Sequence, residues 1–178
     1  MKKNKYLILN VLHVISWIIF IGLCIESGAL IFNFTYSMYK PIAAHNIYKG
    51  LDLSLLQQKH LAHFIALMSF ITVIATLKAY LFYLVVKIFT KLNFVKPFSV
   101  EISQLIKKIS LEAFSIAMVS IVAHQYANRL VRTGYEISSA GAYWSDTEAF
   151  LMMAAILYVI AQVFNKGIEL QNETDLTV

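Results

Sequence analysis

Residues 6–34 read YLILNVLHVISWIIFIGLCIESGALIFNF. About 20 mainly apolar residues suffice for a helix to cross a hydrocarbon core about 30 Å thick, and this run exceeds that with only His13 and Glu26 as ionisable interruptions. A secretory signal would have a shorter apolar core, about 7 to 15 residues, so an uncleaved membrane helix is expected here. Three more stretches repeat the pattern. The predicted spans are residues 6–31, 61–86, 107–128 and 147–168. No stretch alternates with period two between turn signals, so strands are excluded. The expected fold is all-α: a single membrane domain built as an integral bundle of four transmembrane helices.

Composition agrees with that class. Hydrophobic residues make up 59% of the 178, charged residues only 14%, and mean hydropathy is +0.67, against about 25% charged residues in soluble domains. A net charge of +5 brings nucleic acid to mind, but the basic residues flank apolar segments and form no continuous patch with aromatics. No nucleic-acid partner is expected. The partner expected first is the lipid bilayer. A lone cysteine, Cys24, rules out an intramolecular disulfide.

Lysine and arginine set the orientation, because cytoplasmic loops carry an excess of them. Placing the N-terminus inside puts nine on the inner face, among them Lys87, Lys91, Lys107 and Lys108, and five on the outer face. Both termini are therefore expected in the cytoplasm. Residues 35–59 become an outer loop and residues 169–178 a cytoplasmic tail, read as disordered and acidic through Glu169, Glu173 and Asp175. Residues 94–106 form a cytoplasmic elbow: Pro97 ends one helix, Phe98 dips toward the interface, Ser99 caps the next helix and Glu101 occupies its first turn. Ile102, Leu105, Ile106 and Ile109 have helical spacing opposite Ser103, Lys107 and Ser110. That pattern predicts an amphipathic stretch lying on the membrane.

Ionisable groups inside spans are costly unless paired, so they are the candidate sites. His13, Lys78 and Glu112 fall toward the inner side when depth is counted from the span ends, and Lys78 with Glu112 is a candidate interhelical ion pair. Toward the outer side lie Glu26, His60, His63, His124 and Gln125. Histidines beside a carboxylate have the donors for zinc, and His63 with His124 across the bundle has the donors for haem. The spacing matches no metal motif, and the expectation is no metal and no cofactor. Phosphate loops, nucleophile elbows and zinc-protease helices are missing, so no catalytic residue and no enzymatic activity is expected.

The elbow Pro97-Phe98-Ser99-Val100-Glu101, continued by Leu105 and Lys108-Ile109, and the ending Gly167 to Val178 resemble a group of small four-helix bacterial membrane proteins catalogued as a domain of unknown function, DUF2975. Ile102 departs from the asparagine of that pattern, and residues 35–59 match nothing in it. The resemblance implies a bacterial cytoplasmic membrane, no assigned catalytic residues and, in many relatives, a neighbouring small helix-turn-helix regulator. A membrane accessory or sensory partner of such a regulator, reached through the elbow or the tail, is thus the expected role. Small-solute transport along Glu26, Lys78 and Glu112, and haem or metal binding, are the alternatives. Oligomerisation stays open.

Overall fold

The computed structural model describes residues 2–92 and 98–176, and every regular element among them is helical. Four long helices carry the architecture: α1 (Lys2–Tyr39), α3 (Leu61–Lys91), α4 (Val100–Arg132) and α5 (Thr147–Leu176), with the short α2 (Ser54–Lys59) between the first two. At 1.5 Å per residue, the 38 residues of α1 span about 57 Å and the other three about 45 to 50 Å. All four outreach a hydrocarbon core of about 30 Å.

Local chemistry explains where they stop. Lys40, just before Pro41, is extended at φ −130° and ψ 96°, because a following proline disfavours the helical region. The amide of Ile102 donates to the Ser99 side chain at 3.3 Å, making Ser99 the N-cap of α4, with Glu101 in the first turn. At the other end of α4, Gly134 takes φ +90°; its amide donates to the Val131 carbonyl at 3.0 Å and the Tyr135 amide to the Leu130 carbonyl at 3.2 Å. These two bonds are a Schellman cap, which needs a residue that enters the left-handed region without strain.

Three helical stretches are long and apolar enough to cross a membrane: Leu7–Tyr39, Leu61–Lys91 and Ser139–Glu173. Four spans were expected; α4 is not among these three, its apolar middle being flanked by Glu101, Lys107, Lys108 and Glu112 on one side and by His124, Gln125, Asn128 and Arg129 on the other. The long helices pack mainly in chain order: α1 on α3, α3 on α4 and α4 on α5. They bury two separate cores. The head core joins Leu30, Ile47, Leu53, Phe64, Met68, Ala127 and Trp144. The foot core joins Leu84, Ile102, Ile109, Ala154 and Ala161. Because α5 begins only at Thr147, the far halves of α1, α3 and α4 project past it, and residues 40–60 and 133–146 fold back over them as a head.

Several sequence expectations change here. Residues 35–59 are not a simple loop: α1 continues to Tyr39, a 3-10 turn covers Pro41–His45, and Ala44, Ile47, Leu51 and Leu53 are buried. Two hydrogen bonds hold this segment down, Asn33 donating to the Ile47 carbonyl at 2.5 Å and the buried Gln57 to the Ser37 carbonyl at 2.7 Å. The amphipathic stretch is no separate surface helix but the first turns of α4. Its apolar residues are buried within the bundle, and so are Ser103 and Ser110, which bond across to α5. Trp144 belongs to the head core. The tail is helical as far as Leu176.

Candidate functional site

A charged collar lies between the two cores. Glu26, on α1, accepts from the Lys49 ammonium at 3.2 Å, and Lys78, on α3, sits 3.3 Å from the Asp146 carboxylate and 3.4 Å from the Tyr143 carbonyl oxygen. Lys49 reaches Glu26 from an unusual backbone. Its φ is +47° and that of Gly50 +80°, while the Leu51 amide donates to the Tyr48 carbonyl at 2.9 Å. Two successive left-handed residues make this a type I′ turn, a geometry that favours Asn, Asp or Gly over lysine. Glu26, Tyr48, Lys49, Lys78 and Tyr143 together line a pocket of ≈ 220 Å³.

The expected Lys78–Glu112 pair is not formed; Lys78 pairs with Asp146 instead, and the Glu112 Oε1 atom is buried with no hydrogen-bond partner among the described residues. Lys78 was placed on the inner side by counting along apolar runs, yet it lines one pocket with Glu26. The count fails because the far halves of α1 and α3 belong to the head. His13 does lie toward the other end, where its Nε2 accepts from the Trp17 indole at 3.1 Å and its ring stacks on Phe89.

The outer polar cluster divides into three. Glu26 goes to Lys49. His60 and His63 are neighbours, their ring centroids 5.5 Å apart, and both meet Tyr135, while His63 Nδ1 is hydrogen-bonded to the Tyr126 hydroxyl at 2.8 Å. His124 and Gln125 line a different pocket with Trp144 and Glu148. Among the described residues no three His, Cys, Asp or Glu side chains gather as a metal ion requires, and His63 is engaged by tyrosines rather than by His124. Nothing in this arrangement favours haem or zinc.

At the foot the elbow and the end of α5 meet. The Phe98 ring stands edge-on to Phe164 at 5.3 Å between centroids, directly over Gly167, where an added Cβ would come within 2.7 Å of Phe98 Cδ1. Ser103 bonds Asn165 at 2.5 Å, Lys91 pairs with Glu101, and Lys166 pairs with Glu169 at 2.7 Å. Pro97 lies outside the described residues, as does the side chain of Asp175; Glu173 is in the last turns of α5. Sequence reading named Phe98 and the tail but missed that they touch, and it missed Lys49 and Asp146 altogether. The legible signal was Lys49-Gly50, a turn dipeptide within reach of Glu26 only after folding.

The family described as Protein of unknown function (DUF2975) matches residues 30–178, well over half of the sequence. The chain belongs to the DUF2975 family. The match takes in residues 35–59, where the resemblance read from motifs had found nothing. No curated protein and no solved structure matches this DUF2975 chain.

Proposed function

We propose that this DUF2975 protein is a non-enzymatic accessory of the bacterial cytoplasmic membrane, with four spans and both termini inside, that engages a cytoplasmic protein through a face made jointly by the elbow and the end of α5. The seating of Phe98 on Gly167 is the observation that carries this reading. It brings the two segments into contact at the end of the bundle that carries Glu101, Glu169 and Glu173, and α3 and α4 run unbroken from that end to the head. A shift in the head therefore has a stiff path to the foot.

The membrane placement rests on two supports. α1 exposes Leu7, Ile8, Val14, Ile18, Ile21 and Ile25, a surface that water would not solvate. Irregular backbone is not tolerated against lipid, so residues 40–60 and 133–146 belong outside and the collar lies at the outer boundary. α4 crosses with its neighbours: Glu101 is neutralised by Lys91, and the stems of Lys107 and Lys108 reach toward the inner headgroups. Transport is less favoured, because Glu26 and Lys78 share a pocket to which Glu112 does not contribute.

The test is affinity capture from native membranes with the intact chain and with a Glu169→Gln, Glu173→Gln, Asp175→Gln variant. A cytoplasmic partner held by the first and lost by the second is the expected result. Identical captures, or none, would refute the role.

A further inference from the structure

Both α3 and α5 pack on α4, and between them a groove of ≈ 630 Å³ stays open along the side of the bundle. Its walls are apolar: Leu81, Phe82 and Val85 from α3 face Phe150, Met153 and Leu157 from α5, with Ile109 as the floor. That volume is in the range of about 300 to 1,000 Å³ typical of small-ligand sites. The one ionisable lining residue is Asp146, at the collar end.

The collar end has a distinctive chemistry. Lys78 is only 19% exposed, whereas the lysines of the other described ion pairs are 41% to 69% exposed. Lys78 lines the adjoining collar pocket, and its ammonium lies 5.3 Å from the centroid of the Phe150 ring, which belongs to the groove wall. An ammonium has three N–H donors. Two acceptors are in place, the Tyr143 carbonyl and the Asp146 carboxylate, both at long distances of 3.4 and 3.3 Å. The third N–H has no acceptor among the described residues. Asp146 is 60% exposed and keeps most of its accepting capacity.

We infer that this groove binds one phospholipid of the outer leaflet bearing a primary-amine, ethanolamine-type headgroup. Its acyl chain lies between Phe82 and Phe150, its phosphate accepts from Lys78, and its ammonium donates to Asp146. Charge complementarity selects this occupant. A cation and an anion side by side match a zwitterion, while an anionic headgroup without an ammonium sets its charge against Asp146. A helix from a partner or from a second copy would cover the walls and leave the third Lys78 donor unfilled. The inference rests on the membrane placement proposed above.

The test is intact-protein mass spectrometry of the chain extracted from bacterial membranes in mild detergent, followed by exchange into bilayer discs of phosphatidylethanolamine or phosphatidylglycerol. The wild type should retain one ethanolamine lipid. Lys78→Met should weaken retention about tenfold, the value of one charge-assisted hydrogen bond. Ala149→Leu, which fills the groove one turn beyond Asp146, should abolish it independently of the charge, so a folding defect in one variant leaves the other to decide. Lipids retained in bulk proportion, wild-type retention by both variants, or a dimer in place of lipid would each overturn the site. Recovery of the chain from the soluble fraction would overturn the membrane placement as well, whereas a membrane-extracted, lipid-free protein overturns the site alone.

Discussion

At the scale of single residues, Gly167 lies directly under the Phe98 ring. A side chain there meets the Phe98 ring, so Gly167→Val should lower stability by about 1 to 3 kcal/mol, the usual cost of overpacking. Thermal unfolding in detergent checks it. Adding Phe98→Ala should recover part of that loss, because neighbours sharing one contact do not add. Lys49 carries backbone strain of about 1 kcal/mol or somewhat more, set against an exposed ion pair with Glu26 worth about 0 to 1 kcal/mol. Lys49→Asn, which tolerates that backbone, should therefore leave stability nearly unchanged. Lys49→Val, branched at Cβ, should lower it measurably. Asp52 accepts from the Ser54 hydroxyl at 2.7 Å and the Ser54 amide at 2.9 Å, and these bonds hold its carboxyl below the ordinary value. A depressed carboxyl stabilises the fold above its unfolded pKa, near 3.9, and that contribution disappears as pH falls through the lower folded value. The stability difference between wild type and Asp52→Asn should then be present at neutral pH and shrink below about pH 4.

At the scale of elements, the start of α4 was legible and helix partners were not. Ser99 and Glu101 mark that start by chemistry confined to a few neighbouring residues, whereas the first span was expected to end at residue 31 and α1 runs on to Tyr39. The partner of Lys78 depends on how far α3 projects before α5 begins, which no local signal encodes. A double-mutant cycle states the difference. Neutralising Lys78 and Asp146 should show coupling of about 0.5 to 1 kcal/mol, as partly exposed pairs do, while Lys78 with Glu112 should be additive. Coupling in the second cycle and none in the first would contradict the register of α3 described here. The same reasoning covers α4: its amphipathic period was readable, but whether the apolar face lay on lipid or on α5 was decided by Ala154 and Ala161, small residues that let the two helices close.

At the scale of the whole molecule, the head and foot cores predict opposite exposures for two termini of the fold. In a Cys24→Ser background, a cysteine at Glu136 should react with a membrane-impermeant maleimide on intact cells. One at Asn172 should react only after permeabilisation. Labelling of both from one side would contradict a crossing by α5. Helix content, the apolar character of three of the four long helices and membership of the DUF2975 family were all determined by the sequence alone, since each follows from residues adjacent or periodic in the chain. The head folded over the ends of α1, α3 and α4, the exchange of Glu112 for Asp146 beside Lys78, the division of the histidines and the seating of Phe98 on Gly167 were decided only in three dimensions. These join residues from 14 to 75 positions apart, and such contacts depend on the length and register of whole helices rather than on any local pattern.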